Sequence, residues 1–419
     1  MKHLYAVMLF LCALVARSQT SFIDTMTGIF NERVRTVRVL NGDNLFAPPV
    51  VTLGTNEYLD ISFDILHEDR DYMRFRVMRC EANWRPSVIA ENEWLRGFNE
   101  SVIDDYTFSN VTSVHYVHYS FQFPNMDINP TLSGNYLIQV YNEDDPDEIW
   151  FQQRVMISEQ TAPISVTLST VTDLDYNDSH QQLSVAVDTE RAHVEDPFND
   201  LKVMISQNGR ADNEIAITHP LRLSGKTAIY EHQKPLIFDA GNEYRRFEVS
   251  NINYPGMNVE QIGYFEPYYH FKLFDDISRA GETYVYDQTQ NGRFVVREYN
   301  SNDSDVDADY VVVHFTLDYP ELPGSMIFLD GDFTQRRFDQ SSQMFYNNST
   351  GKYEKAVLLK QGHYNYQYLV VPPGGNRGKT SVIEGDKYQT LNEYLVKVYA
   401  RGPLDRTDRL IGVYSFQPL

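Results

Sequence analysis

Few residues in this chain combine the types and spacing that chemistry requires. Cys80 shares an alternating strand face with Arg74 and Arg76, which would favour a thiolate, but no His or Asn in a recognisable catalytic context accompanies it. It reads as an inert thiol at a strand end. His115 and His118 are the closest pair of imidazoles, and on an extended strand an offset of three points them to opposite faces, away from one shared zinc. Asp303, Asp305 and Asp307 alternate like the opening of a calcium loop. That pattern breaks at Ala308, where a glycine is needed, and at His314, where a bidentate glutamate belongs. It reads as a solvated acidic stretch. No G-x-S-x-G elbow, phosphate-cradling glycine loop or metal-binding helix signature is present. The 58 acidic residues offer many carboxylate pairs for glycoside hydrolysis, and only a measured separation would single one out. The expectation is a protein that is not an enzyme, with no cofactor and no metal.

The elements that would have to position these residues are strands. Met73, Phe75 and Val77 alternate with Arg74 and Arg76, the signature of a half-buried strand. The same alternation recurs at His115 to Phe123, Tyr136 to Tyr141, Leu183 to Val187, Leu201 to Ile205, Tyr310 to Leu317 and Tyr394 to Tyr399, each bounded by turn residues. One short helix is expected over Ser87 to Trp94, capped by Ser87. Short strands without a strand-helix-strand rhythm predict an all-β fold of tandem Ig-like, early-set β-sandwich domains with very little helix.

Residues 1–18 carry Lys2, an apolar run from Leu4 to Val15 and the small residues Ala16 and Ser18, the pattern of a signal peptide cleaved before Gln19. Cys12 sits within that apolar run, where it does not suit lipidation. The run is too short for a bilayer span, and no other stretch is long and apolar enough for one, which predicts a soluble exported chain. After cleavage Cys80 stands alone, so no intramolecular disulfide is possible and stability must come from apolar burial. The net charge of -22 repels phosphate backbones and argues against nucleic acid as a partner. Polar breaks at Glu159 to Pro163 and Asn300 to Asp305 suggest three domains, at residues 19–160, 161–300 and 301–419.

Seven segments in order carry a family resemblance. They are C-E-A-N-W-R-P-S with E-W-L-R-G-F between Cys80 and Phe98, H-Y-S-F-Q-F-P-N from His118, S-G-N-Y from Ser133, Q-N-G-R-A-D-N from Gln207, G-N-E-Y-R-R-F from Gly241, A-D-Y-V from Ala308 and L-K-Q-G-H-Y-N-Y from Leu359. Together they resemble the plug protein family of the type IX secretion system of Bacteroidota. The resemblance implies a periplasmic protein at the inner face of the outer membrane, bound to the periplasmic mouth of the giant β-barrel translocon and sealing its pore. It implies no membrane insertion of its own and no small-molecule substrate.

Trp84, Trp94 and Phe98 are the candidate partner-binding residues, since aromatic anchors dominate many interfaces. The plainer expectation for Trp84 and Trp94 is that they brace the local turn and core. A second reading comes from the last third of the chain, where Met326 to Phe333 and Gly362 to Tyr366 resemble a glycogen-binding type of sandwich. Tyr364, Tyr366 and Tyr368 share one strand face and offer a platform for sugar. All three Trp lie in the first domain, however, and the tyrosines are expected to pack a sheet instead.

Overall fold

The computed structural model describes residues 24–42 and 44–417, and its regular secondary structure is almost wholly strand. The signal peptide and Cys12 lie outside the described residues. The all-β expectation holds, and the segments chosen by alternation lie in strands, among them Met73–Cys80, Tyr310–Asp318 and Tyr394–Ala400, except that the strand expected from His115 begins at Val117 and runs to Phe123.

The first core lies between two sheets. One runs in the order Gly28–Ile29, Asp145–Ser158, Gly134–Asn142, Met73–Cys80, Ser101–Ile103, with Val50–Thr52 parallel to Asp145–Ser158; the other runs Val34–Asn41, Leu59–Ile65, Val117–Phe123, Asp105–Phe108. Along Val117–Phe123 the odd-numbered residues Val117, Tyr119, Phe121 and Phe123 are buried, as period-2 alternation demands. Phe63 meets Tyr119 at 5.2 Å and Phe151 at 4.8 Å between ring centroids, so aromatic rings fill the space between the sheets.

Strand pairing in the remaining chain runs across the expected segments 161–300 and 301–419. Leu201–Gln207 pairs in antiparallel register with Tyr394–Ala400, which pairs in turn with Arg409–Phe416. A second core therefore gathers Leu183, Val203 and Phe238 with Tyr394, Val398 and Ile411. The third core is built from Phe247 to Ile383 and lies within that interval of the chain. The polar stretch at residues 300–305 falls inside the third core's chain segment, where Ser304–Asp307 forms one helical turn rather than a linker. Asp305 there pairs with Arg38 of the first sandwich at 2.6 Å. Polarity marked a surface segment that contacts a neighbour, not a boundary.

The other expected helix is also shorter. It spans Glu91–Trp94, and the Ala90 N–H donates to Glu93 Oε1 at 2.9 Å. Ser87 does not cap it, because its hydroxyl donates instead to Glu81 Oε1 at 2.5 Å.

The three cores are joined by buried contacts. Between the first and second, Cys80, Trp84, Leu137 and Met156 pack on Tyr399 and Leu410. Arg79, buried, donates to the Ser133 and Asp408 carbonyls at 2.8 Å each. Between the first and third, Asp64 accepts from Lys360 at 2.5 Å and from Tyr310 at 2.6 Å.

Candidate functional site

The region around the predicted aromatic residues is a series of turns at one end of the first sandwich. Strand Met73–Cys80 ends in a turn closed by a bridge from Cys80 to Pro86, in which the Trp84 N–H donates to the Glu81 carbonyl at 2.9 Å. Trp84 adopts φ +62°, a conformation that costs a bulky side chain on the order of 1–3 kcal/mol. Burial of its ring against the second core offsets that strain, and the Arg154 guanidinium lies 4.3 Å above the ring. Cys80 is buried beside it, and desolvation pushes the thiol up to about 12, the direction of an unreactive group.

Trp94 closes the short helix and points into the first core, 5.6 Å from Tyr136 between centroids. Trp84 and Trp94 are thus internal braces. Phe98 is different. Leu95–Arg96 pairs with Asn129–Pro130, and the following Gly97 takes φ +95° with the Asp127 carbonyl oxygen only 2.8 Å from where a Cβ would sit. Glycine is required for this turn to close. One residue beyond Phe98, the Asn99 side chain accepts from the Val77 N–H at 2.8 Å and donates to the Val77 carbonyl at 2.7 Å. Phe98 is held between these two fixed points with its ring 86% exposed.

Three residues that sequence reasoning missed belong to the same end. Asn125 accepts the N–H groups of Asp127 and Ile128 at 3.0 and 2.8 Å, which sets Met126 at the tip of its turn, fully exposed. Val88, 88% exposed, follows the Ser87 that is bound to Glu81. Leu404, 94% exposed, sits in a loop tied to the helix by Arg406 and Glu93 at 2.5 Å. Among the described residues, Val111 is the only other large apolar side chain more than four-fifths exposed. Glu91, Arg96 and Glu100, neighbours of Phe98 along the chain, are also exposed. The turn residues beside Met126 carried a sequence signal. Leu404 carried none, because its place here depends on pairing across the whole chain.

The tyrosines of the second reading lie elsewhere and are closed off. Tyr364, Tyr366 and Tyr368 are buried, and the hydroxyls of Tyr366 and Tyr368 each donate to Asp276 at 2.7 Å. No ring among them is open to stack on a sugar. Asp305 and Asp307 of the calcium-like stretch are engaged by Arg38 and by the Ser301 hydroxyl at 2.6 Å each.

Comparison with known proteins places this geometry in a family. The model of the type 9 secretion system plug protein 1st domain matches residues 34–159. Over that stretch the chain belongs to the type IX secretion system plug family. The match to the plug first domain begins with strand Val34–Asn41 and ends just beyond strand Asp145–Ser158, so it contains the first sandwich with Val88, Phe98 and Met126. A crystal structure of a hypothetical protein from Parabacteroides merdae is similar to this plug-family chain at 41% identity and TM-score 0.93, covering 94% of this chain and all of that one. A mutant Salmonella alpha-2-macroglobulin aligns at 9% identity and TM-score 0.18 over 94% of this chain and 24% of its own, too low to carry argument. No curated protein matches. Among the described residues no helix is long and apolar enough to cross a membrane.

Proposed function

We propose that the protein is a periplasmic plug that binds the periplasmic opening of the outer-membrane β-barrel translocon of the type IX system and seals its pore. The observation that carries this reading is the coincidence of the plug-domain match with the apolar end formed by Val88, Phe98 and Met126. We assign docking to that end, with Phe98 as the projecting anchor and Trp84 and Trp94 as the braces behind it.

Physical reasoning favours such a part. A barrel wide enough for folded cargo leaks solutes whenever it stands empty, and a stopper must resist deformation. Three cores locked by buried ionic and apolar contacts supply rigidity, and a net charge of -22 keeps the unbound chain from self-association. An interface of this kind needs shape and a few anchors, not a reaction centre.

The test is co-purification. Tagged protein expressed in its own cell envelope is expected to carry a very large outer-membrane barrel through detergent extraction. Its deletion is expected to admit bulky antibiotics that intact cells exclude. Repeated purifications that recover no such barrel, with an envelope that stays tight after deletion, would sink the proposal.

A further inference from the structure

A cavity of about 290 Å³ lies where the three cores meet. Its wall includes six cationic side chains, Arg38, Arg154, Arg210, Arg293, Arg336 and Lys397, against three carboxylates, in a chain whose net charge is -22. Five of these cations already have carboxylate partners. Arg38 pairs with Asp305, Arg210 with Asp212, Arg293 with Glu393 and Arg336 with Asp332, all within 2.7 Å, and Lys397 pairs with Glu214.

Arg154 breaks the pattern. Its Nε donates to the Thr25 carbonyl at 2.7 Å and its face covers Trp84, but no carboxylate lies within salt-bridge distance of it among the described residues. The two carboxylates whose charge acts on it, Glu214 and Asp24, are held by Lys397 and Arg337. Burial draws its pKa down to about 10, the mark of a desolvated charge without full compensation. Removing an ion from water is unfavourable unless a counter-charge compensates it. A planar guanidinium whose terminal donors have no protein partner among the described residues is well shaped to receive a carboxylate or phosphate in two parallel hydrogen bonds.

We infer that this cavity is a binding site for a small ligand bearing an oxyanion, received by Arg154 with Trp84 behind it and with Met156 and Leu395 as the apolar part of the wall. The volume admits a ligand of a few heavy atoms beyond the oxyanion, at the small end of ligand pockets. The site shares Trp84 with the braces of the docking end but does not rest on whether the protein seals a barrel. Because the wall draws on all three cores, occupancy would tighten their junction.

The experiment is calorimetric titration of the full mature chain with sodium acetate and with sodium phosphate, at constant ionic strength made up with chloride. One saturable site is expected for at least one of the two, and Arg154→Gln is expected to weaken it about tenfold or more. Saturation by acetate alone identifies a carboxylate ligand, and saturation by phosphate alone a phosphate ester. If neither anion saturates a site, or if Arg154→Gln binds as tightly as the parent, the inference fails. Crystals of the unaltered protein soaked with whichever anion saturates decide the matter without the variant: density for that anion against Arg154 supports the site, and an unoccupied cavity at saturating concentration overturns it.

Discussion

Lys360 Nζ lies 2.5 Å from Asp64 Oδ2, with both side chains fully buried and the two residues 296 positions apart in the chain. The same carboxylate accepts from Tyr310 at 2.6 Å and meets His118 Nδ1 at 2.6 Å, while Lys360 also donates to the Asp305 carbonyl at 2.6 Å. Every member of this cluster is satisfied by another, across the junction of the first and third cores. Such a cluster contributes little net stability relative to apolar packing, but breaking it by halves is costly.

Asp64→Asn should therefore destabilise the protein by about 3–5 kcal/mol, because it leaves the Lys360 ammonium buried without its counter-charge. The double variant Asp64→Leu with Lys360→Met should recover much of that loss. Urea unfolding of the parent, Asp64→Leu, Lys360→Met and the double variant measures the coupling. Simple additivity would contradict the prediction.

The same carboxylate predicts an acid limit. Burial raises its pKa, but Lys360 and His118 together outweigh that and hold it below the ordinary Asp value. The unfolded chain then binds the proton more readily than the folded one. The stabilisation is present above about pH 5 and declines as the pH falls through the folded pKa. Parent stability should drop over that range more steeply than that of the Asp64→Leu, Lys360→Met double variant, as read by thermal melts from pH 6 to pH 3.

Cys80 gives a chemical readout of the junction between the first and second cores. With its thiol pushed up to about 12 by burial, it should not react with an aromatic disulfide reagent at pH 8 while folded, and should react fully in denaturant. Prompt labelling of the native protein would mean that the junction opens readily.

Much of this architecture was legible in the sequence, and what was not has a common cause. Alternation in Met73–Cys80 and Tyr394–Ala400 reports which residues face a core, because the side-chain period of a strand is two. It does not report the partner strand. Nothing local to Tyr394 says that it pairs with Gln207, so the second core could not be seen to close with the end of the chain. The acidic stretch at residues 303–307 misled for a related reason: carboxylates that serve solvent and carboxylates that serve a distant Arg38 have the same composition. At the candidate site, the aromatic residues were visible, but the division into two braces and one anchor was not. That division depends on Gly97 and Asn99 turning Phe98 outward while Trp94 turns in.

The pairing of Leu201–Gln207 with Tyr394–Ala400 carries its own test. A chain ended after Thr390 loses two strands of the second core together with buried Tyr394, Val396, Val398 and Ile411. It also loses the Arg79 contacts to Asp408 and Thr407. The truncated protein should not unfold cooperatively at the parent temperature, and protease should degrade residues 161–240 first. A fragment that melts like the parent would contradict the pairing.

The sharpest distinction lies between Trp94 and Phe98, four residues apart on one segment. Trp94→Ala removes a ring from the first core and should cost about 3–5 kcal/mol. Phe98→Ser removes an exposed ring from a turn fixed by its neighbours, so stability should change by no more than about 0.5 kcal/mol. If Phe98 and Met126 form the docking centre, Phe98→Ser with Met126→Ser should abolish co-purification of the barrel while the melting curve stays that of the parent. A surface change elsewhere, such as Tyr254→Ser, where the side chain is exposed on the third sandwich, should leave co-purification intact. Loss of barrel with Tyr254→Ser, and retention with the Phe98 and Met126 changes, would move the docking surface from the first sandwich to the third.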